Sequence, residues 1–144
     1  MSATNNFEDK ILRLYLENTT AANIGDPTGL VGSTTPGSVF VSLHTADPGE
    51  TGDQTTNESA YTNYARQAVA RSTAGWTIAS GTGDNDAAVI FPLCGVTGST
   101  ITHFGLGSAT SGAGNRDLNG TASLIVNAGI TPQFAIGALD VSLD

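Results

Sequence analysis

The chain has 144 residues and a formal charge of −8, with 13 acidic side chains against five basic ones. That length suits one domain able to bury a core without metal or disulfide staples. A lone lysine, Lys10, and four arginines provide no basic surface for a row of phosphates, which excludes general nucleic-acid binding and leaves protein as the natural partner of an acidic surface. The single cysteine, Cys94, excludes an internal disulfide, and in "FPLCGV" it reads as a buried, inert thiol. The first residues, "MSATNNFEDK", have neither the basic nor the apolar part of an export signal, so the expectation is synthesis in the cytoplasm. No apolar run approaches a membrane span, and no membrane partner is expected.

In chain order, the first element is a helix in "FEDKILRLYLEN", capped by Asn6, with Glu8 and Asp9 suited to its positive end. Phe7, Ile11, Leu14 and Tyr15 follow helical spacing, and Leu12 with Leu16 widens the stripe beyond what one covered surface requires. Residues 18–38 are rich in Gly, Pro and Thr and lack periodicity. They read as an extended arm, ordered against something that includes a second chain among the options.

After Gly37 the pattern changes to period two. "VFVSLH" sets Val39, Val41 and Leu43 against Phe40, Ser42 and His44. "YARQAVAR" and "GWTIAS" are joined by "STAG", which predicts a hairpin. "DAAVIFP" ends at Pro92, and "TITHFGLGS" sets Thr102, Phe104 and Leu106 against Ile101, His103 and two glycines that call for a close neighbour. "TASLIVNAG", "QFAIGA" and "ALDVSL" complete the set. Short strands separated by turn signals predict an all-β fold, a single antiparallel β-sandwich or jelly-roll-like barrel (residues 39–144) preceded by the N-terminal helix and extended arm (residues 1–38).

The densest chemistry is "HTADPGETGD", residues 44–53. His44, Asp47, Glu50 and Asp53 are the right types for a metal or a general base, but Asp47-Pro48-Gly49 is a turn signal and the spacing is not that of a calcium loop. "GTGDNDA" reads as a second, solvated acidic loop. His44 and His103 form the only histidine pair, without a third ligand, and no hydrolase elbow, zinc helix or phosphate loop is present. Trp76, Tyr61 and Tyr64 read as core or interface rather than as a sugar platform. Arg66 and Arg71 call for carboxylate partners such as Glu58 or Asp47 in surface pairs of little worth. The reading is therefore of a non-enzyme with no catalytic, cofactor-binding or metal residues and no cofactor.

The succession "VFVSLHTADPGETGDQTTNESAYTNYARQAVAR", "GWTIAS", "ITHFGLGSATSGAG" and "GITPQFAIGALDVSLD" resembles small virion structural proteins of tailed bacteriophages, and "NFEDKILRLYLENT" is similar to the helix of that group. The resemblance implies a virion component. A small β-domain without heptads or repeats looks like a capsid cement or decoration protein on the outer capsid surface, a homotrimer or homodimer bound to the major capsid protein. Phe7, Ile11, Leu14, Tyr15, Ile24, Leu30 and Val31 are then its interface candidates. The alternative is a tail, tail-fibre or adaptor component, and a more remote one is a carbohydrate-binding β-domain.

Overall fold

The computed structural model describes residues 2–143. Among them the order of elements is one helix, α1, followed by β1 to β9, and every recorded strand pairing is antiparallel. The expected all-β antiparallel class with an N-terminal helix is the fold observed. Among the described residues its sheets have four, three and two strands. No helix among the described residues is long and apolar enough to cross a membrane. The chain forms two compact units, the first made of residues up to Ser38, Ala70–Ala88 and the stretch from Ala135 on, the second of Val39–Val69 and Val89–Phe134.

In the first unit, α1 spans Asn5–Leu12 and continues as a wider π-helical turn over Arg13–Glu17. Its cap is Thr4 rather than Asn6: Thr4 is extended, and its side-chain oxygen accepts from the Phe7 amide. The helix stops at Asn18, whose φ of 59° is the left-handed conformation that ends helices. Arg71 then satisfies the exposed carbonyls of the last turn, donating to Tyr15 at 2.6 Å and Leu14 at 2.7 Å, and it also reaches Pro36. Sequence reasoning assigns Arg71 a carboxylate, but at a helix C-terminus carbonyl oxygens carrying partial negative charge hold a guanidinium equally well.

Strand β3 (Trp76–Ala79) pairs with β4 (Thr82–Asn85), and β4 pairs with β9 (Val141–Ser142). The two residues between β3 and β4, Ser80 and Gly81, both have positive φ, at 55° and 82°. That is the turn whose twist matches paired strands. The predicted hairpin between "YARQAVAR" and "GWTIAS" is therefore not formed: β2 (Gln67–Ala70) belongs to another sheet, and "GTGDNDA" is not a free acidic loop but supplies β4. Leu12 and Leu16 are fully buried, and a Cβ at Gly83 would lie 2.8 Å from both Leu16 and Ile78. Only glycine lets the helix approach the hairpin that closely. Asn85, itself buried, donates to the Ala87 and Ala135 carbonyls and accepts from the Leu139 amide, stapling β4 to the C-terminal turn.

Residues 18–38 also depart from the extended arm of the sequence reading. The segment closes on itself through Asn18, whose amide exchanges two hydrogen bonds with the Ser33 backbone, and through reciprocal Ala21–Leu30 bonds. Asp26 accepts from the Thr28 and Gly29 amides at its tip. Local side-chain bonds of this kind have no hydrophobic period and leave no trace in a pattern search.

The second unit holds the four-stranded sheet β2-β1-β6-β7, with β1 at Ser38–His44, β6 at Ser99–Gly107 and β7 at Arg116–Val126, and the short pair β5 (Val89–Ile90) and β8 (Gln133–Phe134). Its core is a chain of aromatic contacts from Tyr61 through Tyr64, Phe91 and Phe134 to Phe104, at centroid spacings of 5.4 to 6.4 Å. Phe104 lies opposite Gly120, and a Cβ at Gly120 would be 2.6 Å from the Phe104 ring, so the ring covers the bare backbone of β7.

Leu16→Ala should lose about 2–5 kcal/mol of stability, because a fully buried Leu leaves both a transfer loss and a cavity. Phe7→Ala, at a position 45% exposed, should cost far less in the same denaturant titration.

Candidate functional site

The segment with the most chemistry, "HTADPGETGD" and its continuation to Arg66, is organised around the outer side of β1. His44 ends that strand and forms a bridge with Glu58, while Ser59 donates its amide to Leu43 and Thr45 to Asn57. The intervening loop is shaped by its own polar side chains. Asp47 accepts from the Gly49 amide at 2.8 Å, with Gly49 at φ 66°, and Asp53 accepts from the amide and hydroxyl of Thr55. Those bonds hold the Asp53 carboxyl below its ordinary range. Asp47 and Asp53 thus each have a local structural task.

His44 is fully buried. Its Nδ1 lies 2.8 Å from the Thr56 carbonyl and its Nε2 2.8 Å from the Ser42 hydroxyl. A carbonyl can only accept, so the neutral ring donates through Nδ1 and accepts the Ser42 proton at Nε2. Burial is the largest influence on His44 and lowers its pKa below 6.5. Arg116 and Arg66 push the same way, against the Thr56 carbonyl and Glu58. His103 lies directly across from His44 in the ladder, as the two-histidine pairing in the sequence suggested, but its Nδ1 is bound to Thr102. Among the described residues no three His, Cys, Asp or Glu side chains converge as a metal-ligand set.

The same loop carries Glu58, which joins two residues spaced along "YAR". Oε1 accepts from Tyr64 at 2.9 Å and from Arg66 Nε at 2.6 Å, and Oε2 accepts from Arg66 at 2.7 Å. The Arg66 guanidinium goes on to donate to the Ala109 and Gly112 carbonyls at 2.9 and 2.8 Å. Tyr64 in turn accepts from the Leu43 amide, and burial drives its pKa far upward. The side chains of Arg66 and Glu58 are only 2% and 16% exposed, so the pair is not the surface bridge expected from sequence. Its hydrogen bond with Glu58 raises the Arg66 pKa. An open cleft of about 230 Å³ runs beside Glu58, Tyr64, Arg66 and the loop Thr110–Gly112.

Gln54, which the sequence did not single out, completes the arrangement. It accepts from the Ala109 amide and donates to the Phe40 carbonyl, and its backbone amide donates to Gly114. Its side chain lies against Gly107, while a Cβ at Gly105 would be 2.8 Å from both His44 Nε2 and Ser42 Oγ. The paired glycines do admit close polar neighbours: Ser42 and His44 of the adjacent strand β1 at Gly105, and Gln54 of the overlying loop at Gly107. Arg116 adds donations to the Gly49 and Gly52 carbonyls. Cys94 is buried as expected, and Tyr61, beside it, donates to the Pro92 carbonyl, with burial pushing its pKa up to about 12. Trp76 is fully buried in the first unit.

The seven interface candidates all lie in the first unit. Ile11, Leu14, Tyr15 and Ile24 are half-buried, whereas Phe7, Leu30 and Val31 are exposed. The fully buried side of the helix is Leu12 and Leu16, the pair that widened the stripe in the sequence.

A family model described as "Podophage GP4 fiber I protein gp80" matches residues 2–142. No curated protein matches the sequence.

Arg66→Ala should destabilise the protein by about 1–3 kcal/mol in a denaturant titration, since it leaves the half-buried Glu58 carboxylate and two loop carbonyls without their donor. The pH dependence has a definite sign. Folded His44 has a lowered pKa, so its neutral form contributes full stability above about pH 6.5, and stability falls as acid protonates the unfolded chain first. Unfolding midpoints from pH 7 to pH 5 should decline less steeply in a folded His44→Gln variant than in the parent.

Proposed function

We propose, because this chain belongs to the family described as Podophage GP4 fiber I protein gp80, that it is a component of the tail or tail fibre of a podophage. Membership in that family makes the chain a bacteriophage virion structural protein; the position within the particle is the proposal. The observation that carries it is the extent of the match, residues 2–142, which takes in the helix, the closed loop and every strand rather than one borrowed module. The family description supports this reading over a capsid cement protein bound to the major capsid protein on the outer capsid surface.

The residues with chemical potential support a mechanical role. His44, Glu58, Tyr64 and Arg66 are tied to one another or to backbone carbonyls, an arrangement that fixes two loops on a sheet. In this reading the protein works by rigidity and by contact, without catalysis or a cofactor. Phe7, Leu30 and Val31 retain the exposure that docking against a neighbouring virion protein requires.

Two measurements on purified virions test the placement. Quantitative mass spectrometry should give far fewer copies than the major capsid protein, and gold-labelled antibody should mark the tail. Copy numbers comparable to the capsid protein, with label spread over the head, would overturn it in favour of cementing.

A further inference from the structure

Between Leu43 and Tyr61 the chain buries no hydrophobic side chain other than Pro48; its other buried side chains there, His44, Gln54 and Ser59, are polar. The loop of residues 45–57 is therefore held on the sheet by hydrogen bonds. Gln54 ties it to the Phe40 carbonyl and the Ala109 amide, and Arg116 donates to its Gly49 and Gly52 carbonyls. His44 Nδ1 donates to its Thr56 carbonyl. A segment with so little apolar burial can leave the sheet at a fraction of the cost of unfolding it. Just beyond the loop, the Glu58 carboxylate is clamped to Tyr64 and Arg66 without using the His44 ring, so release stops there.

We propose that this loop is an acid-released cover, closed over β6 while His44 is neutral and lifted from it when His44 takes up a proton. The ring is fully buried at a crowded point: a Cβ at Gly105 would be 2.8 Å from His44 Nε2, 2.8 Å from Ser42 Oγ and 3.0 Å from the Arg116 side chain. A proton on Nε2 obliges Ser42 to accept from the ring and to turn its own hydrogen toward the Gly105 carbonyl, 3.3 Å away. Hydrogen bonding thus survives protonation, but the new charge has no water. Burial is the largest influence against that charge; the Thr56 carbonyl and Glu58 favour it, while Arg116 and Arg66 oppose it. His103 stands opposite His44 in the β1–β6 ladder and adds a like charge in its protonated form. Lifting the loop admits water to the imidazolium without breaking a strand, since the Thr56 carbonyl lies on the ring and no residue of 45–57 belongs to a strand. The closed state has the lower proton affinity, so the loop is fully held above about pH 6.5 and loses hold as the pH falls below it. This inference does not depend on where in the virion the protein sits.

Amide hydrogen exchange of the full chain between pH 7 and pH 5, read by NMR and corrected for the intrinsic rate at each pH, tests it. Protection at Gln54 and Ala109 should fall by up to about tenfold per pH unit below about pH 6.5, one proton being taken up on opening, while the β6–β7 ladder keeps its protection. His44→Gln should remove that fall and His103→Gln should leave it in place. Loop protection that does not change with pH, or that falls only together with the ladder, would overturn the inference. So would a folded His44→Gln variant that opens as the parent does, or a His103→Gln variant that no longer opens. Where His44→Gln does not fold, the parent's own His44 ring resonance decides. It should titrate over the same pH range in which the loop loses protection, and a ring that stays neutral while the loop opens would contradict the proposal.

Discussion

The ion pair between buried Arg66 and half-buried Glu58 is the interaction on which the second unit depends. Taking two charges out of water costs several kcal/mol per ion, and mutual attraction offsets this only when geometry and the remaining hydrogen bonds are satisfied. Here they are. The carboxylate receives two guanidinium donors and the Tyr64 hydroxyl, and the guanidinium extends to the Ala109 and Gly112 carbonyls. Because Glu58 also bridges to His44 and Tyr64 holds the Leu43 amide, one ion pair connects the end of β1, the loop after it and the loop between β6 and β7. A hydrophobic pair of the same volume would fill the space but would not hold both loops by their backbones.

This network imposes a constraint on the sheet beneath it. The Ser42 and His44 side chains of the neighbouring strand β1 leave no volume for a side chain at position 105, and Gln54 of the overlying loop leaves none at position 107; both positions are glycines. The glycine of the first unit at position 83 answers a different neighbour, the apolar tips of Leu16 and Ile78. Position 120 is different again, with the Phe104 ring lying over it. In each case close approach by one partner, not the turn itself, requires the missing Cβ. The polar cover in the second unit also explains why His44 is neutral: its face of the sheet is sealed from water by a loop rather than by a second sheet.

Much of the architecture was legible in the sequence, because alternation reports which strands have a buried face. β1, β3 and β6 fall where "VFVSLH", "GWTIAS" and "TITHFGLGS" place them. Pairing was less legible. "STAG" looks like a hairpin turn, yet the turn with the right backbone twist is Ser80-Gly81, hidden because β4 is the polar run Thr82–Asn85 with no alternating apolar residues. The closed loop of residues 18–38 leaves no signal in the pattern because polar side-chain and backbone bonds, such as the Asn18–Ser33 clasp, close it without any hydrophobic period. Glu58 and Arg66 could be named as partners, while their burial could not: the residues that cover them come from a loop some 45 positions further on. Gln54 and Asn85 gave no signal at all, since a polar residue between turns looks the same whether it faces water or a carbonyl.

The central physical claim is that the loops and the sheet of the second unit form one cooperative structure. Native-state hydrogen exchange tests that claim most directly, read at the amides of Thr45, Gln54, Ser59 and Ala109, which are bonded within the loop network. The account predicts that these amides exchange only with the unfolding that also releases Leu43 and the β1 ladder, and that Arg66→Ala uncouples them. Fast exchange at the loop amides in the parent, while β1 stays protected, would contradict it.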